Sequence, residues 1–204
     1  MAATHTAATP STTPGTAARI AVHALVRLSA ERLLSAREVA AAKWGTDRPV
    51  EDPVRERQIL AAARARAACR GLSPALARRF AQDQMDAAKL VQHALHARWR
   101  AHPAERPRHR PDLTLLRPHL DSLDARLLHA LATALPHLTA PLGGAELARQ
   151  HARVSTTLAL DPTHRTALTR ALTHAHAHAH PHALVPLPSP PSSPSPSPSP
   201  SPSC

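Results

Sequence analysis

The chain has 204 residues, is rich in Ala, Leu and Arg, and carries a formal charge of +11 with a sequence pI near 11.6. That length is enough for one domain with a buried core, and the mix favours helices over strands. Nothing alternates as a strand would, no apolar run reaches the 18 residues of a membrane-spanning helix, and the cysteines, Cys69 and Cys204, form no disulfide framework.

Residues 1–16, rich in Ala, Thr and Pro, read as a flexible leader. They lack a basic start and an apolar core, so the sequence as written predicts no secretory signal and a cytoplasmic location. A first helix is expected over about residues 16–44, with Ile20, Leu25, Leu28 and Val39 among alanines and Gly45 as its stop. Asp52-Pro53 signals the next helix, by a side-chain cap followed by proline at the first helical position, and it runs to Gly71. Ser73-Pro74 repeats the signal and opens a long helix to about Arg100.

Residues 98–110 hold five arginines among prolines and histidines, and 101–111 read as a solvated basic linker. Asp112 begins a fourth helix whose leucines, from Leu113 to Leu131, share one side; Pro118 is expected to kink or restart it. Helices over about 145–158 and 162–178 close the domain. The expected organisation is a leader, a domain over 17–180 divided by the linker into 17–100 and 112–180, and a disordered Pro/Ser tail over 181–204. In a helix, His174/His178 and His176/His180 would be one-turn pairs able to hold a transition metal, but no carboxylate or cysteine accompanies them, so no required metal is expected.

The chemistry concentrates between Arg32 and Arg117. Arg32 and Lys43 are eleven residues apart, close to three helical turns, which puts them on nearly one face about 16 Å apart along the axis. Arg55 stands at the start of the next helix, Gln92 lies mid-helix one turn after Ala88, and Arg117 follows on a later helix. Arginine forks match carboxylates, and lysine aims a compact charge at a single oxygen. The set suits a small dianionic ligand. The bland alternative is a solvated surface in which the arginines pair with Glu31, Glu56 and Asp121 and Lys43 merely sits at a helix end.

Several blocks carry a resemblance: Glu31-Arg32-Leu33; Lys43-Trp44 with Pro49-Val50-Glu51-Asp52 and Arg55; Gln84-Met85 with Lys89-Leu90-Val91-Gln92; Trp99; and Asp112-Leu113 through Arg117 to Asp121-Ser122-Leu123. Over about residues 18–178 the chain resembles the AroQ-type chorismate mutases, specifically the gamma subclass of all-helical, often exported enzymes. The resemblance implies an all-α, six-helix fold, conversion of chorismate to prephenate in aromatic amino-acid biosynthesis, no cofactor, a homodimer and a periplasmic or secreted location. It assigns Arg32, Arg55 and Arg117 to the two carboxylates. Lys43 would serve one carboxylate and the ether oxygen, and Gln92 that same oxygen. Asp52 would cap its helix and meet the substrate hydroxyl. Gln58, Ile59 and Ala88 would complete the lining; Ala88 and Ile59 stand where family members often carry polar residues.

Three other readings compete, one of them a degenerate, non-catalytic member of the same family, suggested by Ala88 and Ile59. Isochorismate pyruvate-lyase shares the fold and a cationic pocket. A basic helical protein binding nucleic acid or acidic surfaces fits the charge, although stacking aromatics are nearly absent, only Trp44, Phe80 and Trp99 being present.

Overall fold

The computed structural model describes residues 14–177, and every element among them is helical. The helices are α1 (Pro14–Leu34), α2 (Ala36–Lys43), α3 (Pro53–Ala67), α4 (Pro74–Ala101), α5 (Leu113–Leu138), α6 (Gly143–Thr157), α7 (Pro162–Ala171) and α8 (Thr173–Ala177). They follow the six expected helical segments, with the first and last each divided in two. The leader to residue 13, the tail beyond 177, and His178 and His180 of the metal reading lie outside the described residues. Residues 14–16, assigned to the leader by composition, already belong to α1.

The single first helix expected from the sequence is interrupted at Ser35. Its hydroxyl donates to Glu31 O at 3.1 Å, competing with the backbone ladder, yet Ser35 keeps right-handed helical dihedrals. Backbone bonds still span the junction, Ser35 N to Glu31 O at 3.1 Å and Val39 N to Ser35 O at 3.3 Å. At the other end, Leu172 tightens into an i to i+3 bond, Leu172 N to Thr169 O at 3.2 Å. Asp83 of α4 then takes the His174 backbone N–H at 2.9 Å and its ring Nδ1 at 2.7 Å, docking α8 against α4.

The start signals act as expected. Asp52, Ser73, Asp112 and Asp161 each accept a backbone N–H from the first turn of the helix that follows. Helix α3 ends in a short 3₁₀ turn, Ala68–Arg70, closed by Leu72 N to Ala67 O and Gly71 N to Ala68 O, both 3.1 Å. That pair of bonds needs a left-handed residue, and Gly71 supplies φ of 66°. Helix α5 passes through Pro118 without a break; the missing N–H removes one rung near its start rather than ending it. At Gly143 a Cβ would meet Leu138 O at 2.2 Å, so α5 and α6 approach only across a glycine.

The core lies where α1 packs on α5, α6 and α7, and α4 packs on α3 and α7. Its largest fully buried side chains there include Leu25, Leu33, Phe80, Leu127, Leu131 and Leu168. A smaller aromatic cluster closes one end. Trp44, just after α2, meets Trp99 and His96 of α4 edge-on at 5.5 and 5.2 Å between ring centroids. The segment expected to be a solvated linker is tied to this cluster. Arg106 donates to Trp99 O at 3.0 Å and lies over the Trp44 ring. Five consecutive helices, α1 to α5, thereby surround one cavity.

Candidate active site

The cavity holds about 620 Å³ including its open mouth. Each surrounding helix delivers at least one polar group to it: Arg32 near the end of α1, Lys43 at the end of α2, Arg55 in the first turn of α3, Gln92 in α4 and Arg117 in α5. Asp52, Ile59 and Ala88 also line it. Of the expected residues only Gln58 does not; it is exposed, its Oε1 accepting from Arg55 Nη1 at 3.5 Å, while Ile59, four residues after Arg55, takes the inward position on α3.

Sequence reasoning left out Val39, Val50, Glu56, Met85, Lys89, Leu113 and Leu120, which complete the lining. A signal for part of this was present. Met85, Ala88, Lys89 and Gln92 fall at i, i+3, i+4 and i+7, one face of α4. The apolar members make a wall on which a ring can lie, while the cations supply the polar side.

Arg32, Lys43 and Gln92 are 6%, 7% and 6% exposed, so these are buried polar groups rather than solvated ones. Every arginine of the site faces an aspartate from another element. Arg32 Nε donates to Asp124 Oδ1 at 3.0 Å, Arg55 pairs with Asp121, and Arg117 lies 3.6 Å from Asp52. The simple surface pairing with Glu31 fails, since Glu31 is held by Arg27 at 3.0 Å.

Lys43 is held differently. Its Nζ donates to Val50 O at 2.7 Å, and no carboxylate lies within ion-pair distance of it among the described residues. Burial pushes the Lys43 ammonium below its usual value, while the more distant charges of Asp52, Glu51 and Glu56 resist that shift. Lys89 shows the opposite balance. Burial alone would lower it, but hydrogen bonds to Glu56 and Asp86, both at 3.1 Å, raise it above its usual value. Glu56 Oε1 in turn accepts the Asp52 N–H at 3.3 Å and fixes the entry to α3.

Gln92 is loosely held. Its Nε2 donates back to Ala88 O at 3.3 Å, leaving one N–H unused, and its Oε1 is buried without a partner. The arrangement provides a dense set of N–H donors above an apolar wall, with no nucleophile paired to a base. Among the described residues no cluster of three or more His, Cys, Asp or Glu is placed to hold a metal.

Comparison with known proteins gives this geometry a family. The family model for chorismate mutase type II matches residues 23–93, a span holding Arg32, Lys43, Arg55 and Gln92 but not Arg117. A secreted chorismate mutase of Mycolicibacterium smegmatis is 34% identical over 151 residues, covering 74% of this chain and 83% of the relative. One of Mycobacterium tuberculosis is 34% identical over 147 residues, covering 72% and 74% respectively. The crystal structure of a chorismate mutase from Burkholderia phymatum superposes with a TM-score of 0.73 at 36% identity, covering 78% of this chain and 98% of that one. The chain belongs to the chorismate mutase type II family. Its activity is accordingly that of an isomerase.

Proposed function

We propose that the cavity binds chorismate and rearranges it to prephenate by holding a compact conformer and stabilising charge on the ether oxygen. The observation that carries the reading is the arrival of Arg32, Lys43, Arg55, Gln92 and Arg117, one from each of five successive helices, on a single cavity. A rearrangement in which one C–O bond breaks as one C–C bond forms needs no proton shuttle or nucleophile. It needs the two ends of the molecule held together and donors where charge grows.

Arg32, Arg55 and Arg117 bind the two carboxylates. Each guanidinium carries five N–H donors, and its paired aspartate, with Gln58 Oε1 as a second partner for Arg55, leaves the others for a ligand. Lys43 supplies a buried ammonium with two further donors beyond the Val50 bond, directed at one carboxylate and the ether oxygen. Gln92 turns its amide toward that oxygen. The turn costs little because the bond to Ala88 O is long and Oε1 gives up no partner. Both contacts strengthen as the oxygen gains charge, which is differential binding of the transition state. Asp52 stands at the mouth, near Arg117, where a substrate hydroxyl would lie. Val39, Val50, Ile59, Met85, Leu113 and Leu120 exclude water from the ring.

Membership of the gamma subclass, and export, are supported by the two mycobacterial relatives named as secreted enzymes. The homodimer expected from the resemblance belongs to the same reading and is tested by light scattering on the purified chain. The test of the reaction is loss of chorismate absorbance with wild-type protein and with Gln92→Ala. The expected result is turnover that falls about 100- to 1,000-fold in the variant, the usual effect of removing one such donor. Equal rates for the two proteins remove Gln92 from the reaction.

A further inference from the structure

We infer that Asp124 is a positioning residue for the substrate-binding arginine Arg32. The inference rests on the chorismate reading for its kinetic consequence but on geometry for its substance. Three arginine–aspartate pairs surround the cavity, and they are not equivalent. The Arg117–Asp52 side chains are 41% and 36% exposed at a separation of 3.6 Å, so water and salt weaken that pair. In the Arg55–Asp121 pair the carboxylate is 47% exposed. Arg32 and Asp124 are 7% and 20% exposed and meet at 3.0 Å.

Asp124 also faces a second, smaller cavity between α3, α4 and α5, walled by Phe80, Leu127 and Leu128, which are 1%, 2% and 3% exposed. Arg66, Gln84 and Asp121 line that cavity too, so the Asp124 carboxylate acts from a mixed but mostly buried surround, where a hydrogen bond to a charged partner is strong. The bond uses the Arg32 Nε–H edge. With Nε–H so occupied, the two terminal nitrogens of Arg32, which lines the substrate cavity, are left as its donors to a ligand. The carboxylate therefore selects the rotamer that presents a two-pronged face to a ligand carboxylate. Asp124 lies 92 residues from Arg32 and seven residues, about two turns, after Arg117 on nearly the same face of α5. Helix α5 thereby supplies both a binding cation and the support of another.

The test uses the full chain and three substitutions. Asp124→Asn keeps an oxygen to accept the Nε–H and loses the charge; Asp124→Glu keeps the charge and moves it by one methylene; Asp124→Ala removes both. Expected is a fall in kcat/KM for chorismate of about 10- to 100-fold in Asp124→Ala, the size seen when a group orienting a ligand-binding side chain is lost. The fall resides mainly in KM. Asp124→Asn recovers most of it, and Asp124→Glu recovers less than Asn.

A second readout does not depend on turnover. The Arg32 Nε–H resonance, assigned by its absence in Arg32→Lys, is protected from exchange in wild type and in Asp124→Asn and unprotected in Asp124→Ala. If Asp124→Ala does not fold, the order of Asn over Glu decides the matter in its place. A folded Asp124→Ala within threefold of wild type, Glu recovering more than Asn, or an unprotected wild-type Nε–H overturns the inference. A wild-type chain that shows the protected Nε–H but consumes no chorismate refutes the reaction and leaves the positioning intact.

Discussion

Replacing Lys43 with methionine keeps most of the side chain's length beside Val39 and Val50 and deletes only the ammonium. Two effects on the fold oppose each other. Val50 O loses its 2.7 Å donor, which destabilises by about 1–3 kcal/mol where the carbonyl stays dry. Against that, the folded protein no longer holds a buried cation whose burial lowers its own proton affinity. The net change in stability is therefore small, and the variant folds. Catalysis has no such compensation. The ammonium is the one cation of the site bonded to a backbone carbonyl instead of paired with a carboxylate, so its charge is the least neutralised before substrate arrives. Losing a preorganised donor of this kind raises the barrier by about 3–4 kcal/mol, or a rate loss of roughly 100- to 1,000-fold. Initial rates of chorismate loss over a range of concentrations, beside a thermal melt of each protein, give kcat, KM and stability together. The expected outcome is a folded Lys43→Met enzyme whose kcat falls by that factor. A variant that melts like wild type and keeps more than a tenth of its kcat refutes the role assigned to Lys43.

The alkaline limb follows from the same residue. In the proposed mechanism Lys43 acts as a cation, so activity is expected to decline as pH rises through its depressed value, below the 10.5 of a free lysine. In that window the unfolded chain holds more protons than the folded one, and stability rises while activity falls. Lys89 works in the opposite sense. Its raised value adds stability that is fully present below 10.5 and is lost only at higher pH, and denaturant unfolding across the alkaline range separates the two windows. Gln92→Glu should be active only with its carboxyl protonated, so its pH–rate profile shifts to acid while wild type holds its rate from about pH 5 to 8. Ala88→Ser places a hydroxyl on the buried wall one turn before Gln92; one new hydrogen bond to a ligand carboxylate lowers KM by about 2- to 10-fold, measured in the same absorbance assay.

What could be read from the sequence were the locally encoded features. Caps and prolines at Asp52, Ser73, Asp112 and Asp161 fixed where helices start, and glycines at 45 and 71 fixed where they end, because each acts within a turn. Arg32, Lys43, Arg55, Gln92 and Arg117 were also legible, from the sequence blocks that carry the resemblance, whereas Glu56 and Lys89 of the same cavity were not. What escaped is set by distant partners. The break at Leu172 depends on Asp83, the orientation of Arg32 on Asp124, and the ordering of the basic segment on Arg106 reaching Trp44 and Trp99. The distinction between Gln58 and Ile59 turns on which side of α3 faces α4, and α3 has too many alanines and arginines for its pattern to reveal that face.

The most direct measurement is the product formed. Purified chain is given chorismate in one reaction and isochorismate in another, with prephenate and pyruvate both quantified. The account predicts that chorismate is consumed with one prephenate formed for each molecule lost, and that isochorismate releases no pyruvate. Pyruvate release from isochorismate without prephenate formation, or no turnover of chorismate by well-folded protein, would contradict it.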